Sequence, residues 1–424
     1  MKLSNTKVDK AGIALAKDSY TSEEELFDAE SIFDLYRGNH LQPLTEITLE
    51  LQDWLSKFGE NYYIAQRLKR KPQIIRKLNR FSVRLTQLQD IGGCRIIVQG
   101  NNTVDSLLRY LQDKVAQQKD LKLIREVDYR EKGRDDSGYR SLHLILERHG
   151  HKIELQIRSR IQHYWAESIE RTSVIYGYHL KECEGHSDVL AYFKKLSDIF
   201  YEIECYREPS PIQKLDIDQY RRSAEEIIKN SDRNKILEGY VNEGIIKKLV
   251  SVESARKTGF NNWIIIFDWN KGAFVSWDIV DRASEKAIQA YVENEKSFPA
   301  RDGFEVVMIG SSDVATIRQT HSHYFGIDSY ENILETLDDS VIGFTRRSDI
   351  DTDARQILLC LHRHRYWGKN TIREETLRNH YCKDAVTFDS SLDLLVSKEL
   401  ILRASTKAPL SLNLKKKTEI ENYL

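Results

Sequence analysis

The chain is poor in the residues that interrupt packed structure, with six prolines and 20 glycines in 424 residues. With 40% apolar and 30% charged residues, this excludes a mainly disordered protein. Cysteine is scarce too. Cys94, Cys183, Cys205, Cys360 and Cys382 are odd in number, widely spaced and without a CxxC pair, which fits a reducing compartment and argues against structural zinc. Net charge is nearly nil, 64 Lys plus Arg against 65 Asp plus Glu, so any anion-binding site must be a local concentration of cations. An N-terminal apolar h-region and any run of about 18 apolar residues are both missing, so a cytoplasmic protein with no membrane partner is expected. The length suggests two or three domains at roughly 150 residues each.

What is present centres on Asp128 to Trp165, which has the pattern of a β-hairpin carrying a site. Leu142, Leu144 and Leu146 alternate with Ser141, His143 and Ile145, and His149-Gly150 supplies the turn. In the second strand Ile153, Leu155 and Ile157 point to the core, so Lys152, Glu154, Gln156 and Arg158 share the opposite face. Two readings stay open for that face. One is the solvated side of an antiparallel sheet. The other is a site in which a mid-strand carboxylate, an amide and a guanidinium, with His143 on the partner strand, hold a metal ion and a phosphorylated substrate.

Upstream, residues 1 to about 20 are polar and mixed in charge, and a frayed lead-in is expected before a helix start at Ser22 with Glu23, Glu24 and Glu25. Glu23 to Leu78 reads as helical, with Leu44, Ile47, Leu51, Trp54, Leu55 and Phe58 at helical spacing after Pro43, and Tyr62 to Gln66 continuing it. Arg67 to Arg80 then holds seven basic residues and no acidic one. A solvated helix interleaves acids for i,i+4 pairing, so this stretch calls for a polyphosphate or nucleic acid, unless it is only a basic surface patch. Leu88 to Gln99 is a strand entered through Asp90 and Gly92-Gly93, with Ile96, Ile97 and Val98 as its buried run and Arg95 its only internal charge. Asp90 reads either as a turn residue or, with a carboxylate on a neighbouring strand, as one of two oxygen ligands for Mg²⁺. A helix over Val104 to Gln117 and a strand over Leu121 to Val127 complete an α+β sheet domain ending near Phe200.

Four segments, in this order, resemble the RelA/SpoT synthetase domain as found in small alarmone synthetases. They are Arg67-x-Lys69 with Lys77 downstream; Asp90-Ile91-x-Gly93-x-Arg95; Asp128-Tyr129 followed by Gly138 to His143; and Glu154-x-Gln156-x-Arg158 followed by His163-x-Trp165-Ala166. The resemblance spans Glu46 to Phe200. It implies a nucleotidyltransferase-like mixed sheet flanked by helices and transfer of the β,γ-pyrophosphate of ATP to a ribose 3′-hydroxyl, usually of GDP or GTP. It further implies that Arg67, Lys69 and Lys77 hold the ATP triphosphate, with Arg95 assisting. Asp90 and Glu154 would carry Mg²⁺ and form the catalytic pair, Glu154 also receiving the hydroxyl proton. Tyr139 would stack on the acceptor base, with His143 and Gln156 lining the acceptor side. Gln73 stands where the family commonly has Ser, and Lys132-Gly133-Arg134-Asp135-Asp136-Ser137-Gly138 where it commonly has Pro-Lys then Asn-Gly. Lys132 or Arg134 would then replace a phosphate contact. No His-Asp dipeptide occurs, so the family's metal-dependent hydrolase domain is not expected.

The resulting domain division is 23–208 for the synthetase-like domain with its N-terminal helices, 212–345 for a helical plus small α/β module, and 351–424 for a module compatible with a winged helix. Strands are expected at Trp263 to Trp269, Phe274 to Trp277 and Phe304 to Ile309, and a helix at Ala283 to Val292. Three short helices (Ala354 to His362, Arg373 to His380, Ser390 to Lys398) then precede two strands at Leu400 to Arg403 and Leu410 to Leu414. His362, Arg363, His364, Arg365 and Lys415-Lys416-Lys417 give this end basic character, consistent with contact to either nucleic acid or protein. The leading expectation is an alarmone-forming pyrophosphokinase. The alternatives are a toxin of the same fold acting on the tRNA 3′ end with a fused antitoxin or sensor, and an inactive nucleotide-binding regulator.

Overall fold

The computed structural model describes residues 3–134, 137–207, 209–231, 260–280, 284–311, 316–317, 320–325, 334, 350, 352–382, 385, 388–405 and 408–423. Asp135, Asp136 and the helical expectation beyond residue 231 lie outside the described residues. Two compact units result, 1–242 with 258–334, and 243–257 with 335–424.

The first helix, α1 (Asn5–Lys17), is capped by the Ser4 hydroxyl and buries Val8, Ala11 and Leu15 along one face. Its Asp9 accepts hydrogen bonds from the Thr86 amide and hydroxyl at 3.0 and 2.7 Å. The expected frayed lead-in is therefore a packed helix, whose apolar stripe is short and diluted by lysines. Helix α2 (Glu23–Gly38) starts at Ser22 as expected, and α3 (Leu41–Phe58) buries Leu44, Ile47, Leu51, Trp54 and Leu55. The helical reading fails beyond that point. Gly59, at φ 85°, ends α3, and Tyr62–Leu68 is a strand, β1, as suits a Tyr-Tyr-Ile run.

The chain continues through α4 (Lys71–Arg80), β2 (Gly92–Val98), α5 (Asn101–Ala116), β3 (Lys122–Asp128), β4 (Leu142–Arg148), β5 (His151–Ser159), α6 (Arg160–Tyr176), α7 (Ser187–Glu204) and α8 (Pro211–Lys229). After it come β6 (Asn261–Asp268), β7 (Ala273–Val280), α9 (Ser284–Ser297) and β8 (Phe304–Ser311). The eight strands form one mixed sheet in the order β3-β4-β5-β2-β1-β8-β6-β7, with β2 and β5 parallel and the other neighbours antiparallel. This is the mixed sheet flanked by helices that the motifs imply. On one face Ile64, Cys94, Ile96, Leu144, Leu155 and Ile157 pack with Leu44, Ile47, Leu51, Leu107 and Leu111 into a single core. Alternation along the strands sends Arg67, Arg95, Glu154 and Gln156 to the opposite face.

Strands β6 to β8 do not form a separate module, contrary to the division at 208/212. They extend the sheet, because β8 pairs with β1 at Gln66↔Gly310 and Arg67↔Ile309. The approach is close: a Cβ on Gly310 would lie 2.4 Å from Gln66 Cγ. Buried Gln66 donates from Nε2 to Thr45 Oγ1 at 2.9 Å and to Asn262 Oδ1 at 3.4 Å, tying α3, β1 and β6 together. Nor is Pro209-Ser210-Pro211 a boundary. Ser210 and Gln213 form a capping box that starts α8, and Ser223 on α8 donates to Asp188 on α7 at 2.6 Å.

The second unit has its own core of Ile357, Leu361, Leu377, Leu392, Leu395, Ile401 and Leu412. A helix Thr352–Arg363, a turn Glu374–Thr376 continued by π-helix over Leu377–Tyr381, and a helix Phe388–Ser397 precede the antiparallel pair β9 (Ile401–Arg403) and β10 (Leu410–Leu412). This is the helix and strand order of a winged helix. The third helix carries Asp389 and Asp393, which pair with Arg378 and Arg403, so it offers no cationic track to a nucleic-acid backbone. Among the described residues no helix is long and apolar enough to cross a membrane.

Candidate active site

Two rows of the sheet build the site. Across three strands, Arg67 on β1, Gly93 on β2 and Glu154 on β5 are register partners. One step along, Ala65, Arg95, Gln156 and His143 on β4 form the next row. Partners in register point the same way, so the fold brings Arg67, Arg95, Glu154, Gln156 and His143 onto one face. Gly93 leaves the floor between Arg67 and Glu154 without a side chain. Beyond the strand ends, α4 adds Gln73, Arg76, Lys77 and Arg80, and α6 adds Glu170 and Ser173, around a cavity of about 290 Å³.

The lining is strongly cationic. Among the described residues, ten Arg and Lys face five carboxylates there. Six of the seven basic residues of the Arg67 to Arg80 stretch point into the cavity, whereas Lys71 pairs outside it with Glu30 at 2.9 Å and Asp34 at 3.5 Å. Lys69 and Lys77 both donate to one oxygen of Asp90, Oδ2, at 2.6 and 2.8 Å. Burial opposes ionisation of Asp90, but the two ammonium groups hold it well below the usual carboxylate range. Burial also lowers Lys69, against the attraction of Asp90. The other oxygen, Asp90 Oδ1, is buried and has no hydrogen-bond partner among the described residues, as do Arg95 Nε and Arg158 Nε and Nη1. The guanidinium nitrogens are suited to an anion, and the carboxylate oxygen to a cation or a hydrogen-bond donor.

Glu154 is held from two sides. His143 Nδ1 lies 3.0 Å from Oε1, and Gln156 Nε2 donates to Oε2 at 2.7 Å. Burial would raise its pKa, but the hydrogen bond and charge of His143 bring it down to about 2. His143 in turn reaches about 9, since Tyr139 and Glu154 outweigh its burial. Tyr139 has its hydroxyl 2.7 Å from His143 Nε2 and 2.9 Å from Arg158 Nη2, and its ring lies 5.0 Å under the Arg158 guanidinium. Despite burial, Arg158 and His143 lower that phenol to about 7. Tyr139 is thus fixed by its hydroxyl and half-buried, with its ring on the cavity wall, rather than projecting freely from a loop.

The loop before Tyr139 is fastened from behind. Arg140 donates from Nε to Ser197 Oγ at 3.0 Å and from Nη2 to Asp198 at 2.7 Å, and binds the Arg130 and Glu131 carbonyls. Gly138, at φ 80°, passes so near α7 that a Cβ would lie 3.1 Å from Lys194 Cα. Arg134 lines the cavity but Lys132 is exposed and does not, so of the two candidate phosphate contacts only Arg134 faces the ligand space. His143 lies just beneath the lining, acting on it through Tyr139 and Glu154.

Several lining residues were given no role by the motifs. Arg158 stands in the fourth motif without a role of its own from the resemblance, and it lines the cavity. His179 and Lys181 follow α6, with Lys181 held by Glu170 at 2.8 Å. Trp269, Glu305, His321, His323 and Tyr324 come from the C-terminal extension. Trp269 stacks on His179 with ring centroids 5.2 Å apart, and Glu305 pairs with Arg70. The WIIIFDW run and the His-Ser-His triplet are visible in the sequence, but nothing local ties either to a site 170 residues earlier.

Residues 66–181 match the family described as the region found in RelA / SpoT proteins. No curated protein matches the chain. Among solved structures, a GTP pyrophosphokinase family protein from Streptococcus pneumoniae is 20% identical over 43% of this chain and 92% of its own, with a TM-score of 0.33. The small alarmone synthetase 2 from Bacillus subtilis is 22% identical over 43% and 97%, with a TM-score of 0.33. The small alarmone synthetase 1 from Bacillus subtilis, bound to its product pppGpp, is 21% identical over 39% and 89%, with a TM-score of 0.32.

Proposed function

We propose that the RelA/SpoT region is an Mg²⁺-dependent pyrophosphokinase that transfers the β,γ-pyrophosphate of ATP to the ribose 3′-hydroxyl of GDP or GTP. The observation that carries this reading is the Asp90 cluster. Two lysines clamp one oxygen of a buried carboxylate, leaving the other without a hydrogen-bond partner among the described residues, in a cavity shared with Glu154 and a bank of guanidinium groups.

In such a reaction the acceptor 3′-oxygen attacks the β-phosphorus, the α,β bridging bond breaks, AMP leaves, and the hydroxyl proton passes by way of the hydrogen bond to Glu154 to solvent. Most of the barrier is charge on the transferred group, so the protein's task is electrostatic and positional. Arg67, Lys69, Lys77 and Arg95 would grip the triphosphate. Asp90 and Glu154 fit an oxygen-ligated Mg²⁺, since both carboxyls are held below the usual range and Asp90 Oδ1 has no hydrogen-bond partner among the described residues. When bound, the ion neutralises charge between the phosphates. Glu154, with a pKa near 2, is a ligand and hydrogen-bond acceptor for the attacking hydroxyl rather than a strong base. Tyr139, Gln156 and Arg134 would meet the acceptor, with His143 orienting Tyr139 and Glu154.

Six of the seven basic residues turn inward, which favours a compact nucleotide over a tRNA end needing an extended cationic surface. The test is to incubate the full chain with γ-labelled ATP and, separately, GDP, GTP and deacylated tRNA. Label on GDP or GTP is expected. Label on the tRNA 3′ end alone would replace the acceptor, and label on none would leave an inactive regulator.

A further inference from the structure

The segment Thr320–Phe325 follows the last strand of the sheet and lies against the site. The Thr320 carbonyl accepts from Arg95 Nη1 at 2.8 Å. Glu167 on α6 accepts, at one oxygen, from Ser322 Oγ at 3.0 Å, the His323 amide at 3.3 Å and His323 Nδ1 at 2.9 Å. His321, His323 and Tyr324 line the cavity and are 2%, 7% and 1% exposed. Electrostatically, His321 is under the influence of both Arg95 and Arg67.

We propose that Thr320–Phe325 is an internal plug that occupies donor-nucleotide space beside Arg67 and Arg95 and is displaced when ATP binds; the inference rests on the pyrophosphokinase reading. Size supports it. Pockets for one drug-sized ligand run to about 300–1,000 Å³. The 290 Å³ left here is too little for the two nucleotides that the reaction joins. Charge supports it too. Arg95 Nη1 donates to a neutral carbonyl and keeps only a longer 3.6 Å ion pair to Glu167, and its Nε is unpartnered among the described residues, so a phosphate oxygen offers it a closer, charge-assisted bond. The anchor at Glu167 also pairs with Arg95, its Oε1 lying 3.6 Å from Arg95 Nη1, so plug and substrate compete for Arg95 through both the Thr320 carbonyl and Glu167.

A plug lowers apparent affinity by the fraction of molecules in which it is withdrawn. Freeing it therefore tightens ligand binding, whereas damaging a wall loosens it. Calorimetric titration of the full chain with α,β-methylene-ATP should show Ser322→Ala and His323→Ala binding at least tenfold more tightly than the unaltered protein. In the unaltered chain, the amides of Tyr324 and Phe325, which bond within the segment, should exchange faster with saturating analogue. That second measurement decides the matter if the variants fold poorly. Unchanged or weaker binding by the variants, with slower exchange in the liganded chain, would make the segment a wall and overturn the plug while sparing the function. Failure of every form to bind the analogue would remove the functional reading itself, and the plug with it.

Discussion

His143 Nδ1 lies 3.0 Å from Glu154 Oε1, so residues on adjacent strands hold each other charged beneath the site. A depressed carboxylate stabilises the fold above its unfolded pKa and loses that contribution as pH falls through about 2. A raised imidazole stabilises fully below about 6.5 and loses its contribution as pH rises through about 9. The pair is therefore strongest between about pH 4.5 and 6.5. Tyr139, lowered to about 7, opposes this trend, so the check is differential: between pH 6.5 and 9 the melting temperature of the metal-free His143→Gln chain should fall less, or rise more, than that of the unaltered chain. Parallel curves for the two proteins would refute the coupling.

Asp90→Asn and Glu154→Gln each remove a charge placed to act on the transferred group rather than to hold the nucleotide alone. Each should lower kcat at least a hundredfold while changing the Kd for ATP much less. Normal turnover by Glu154→Gln would end its assignment as metal ligand and hydroxyl acceptor.

The row from Arg67 through Gly93 to Glu154 has an open floor at the glycine. The nearest atoms to a Cβ there are backbone oxygens at 3.7 and 3.8 Å, an ordinary contact, so Gly93→Val should fold. Its branched side chain would stand in the ligand space. Stability within about 1 kcal/mol of the unaltered chain and loss of most nucleotide binding are expected. Retained affinity would place the ligand elsewhere.

Arg67→Ala should raise KM for ATP about tenfold or more and leave KM for the acceptor nearly unchanged, because Arg67 lies on the lysine side of the cavity, away from the Tyr139 loop. Equal losses for both substrates would argue that the basic stretch is a general anion surface.

Much of the site was legible because its residues lie on strands with clean alternation. Period two places Glu154, Gln156 and Arg158 on one face, and Arg95 is the lone charge in an apolar strand. What was illegible came from missing long-range pairing. Tyr62 to Leu68 follows 18 helical residues and shows no polar alternation, since Ile64, Ala65, Gln66 and Leu68 are all buried in mid-sheet. Reading that strand as helix hid the edge on which β8 docks, and with it the entry of Glu305, His321 and Tyr324 into the site. Lys132 and Arg134 were indistinguishable by sequence. Their difference depends on the bridge between Arg134 and Tyr139, which turns one inward and leaves the other exposed.

The central claim is that the two terminal phosphates of ATP move as one unit. Quantifying nucleotide products from the full chain, Mg²⁺, ATP and GDP or GTP tests it directly. The account predicts AMP and a pyrophosphorylated guanine nucleotide in equal amounts, both absent when Asp90 is changed to Asn. Release of ADP with a singly phosphorylated acceptor would contradict it.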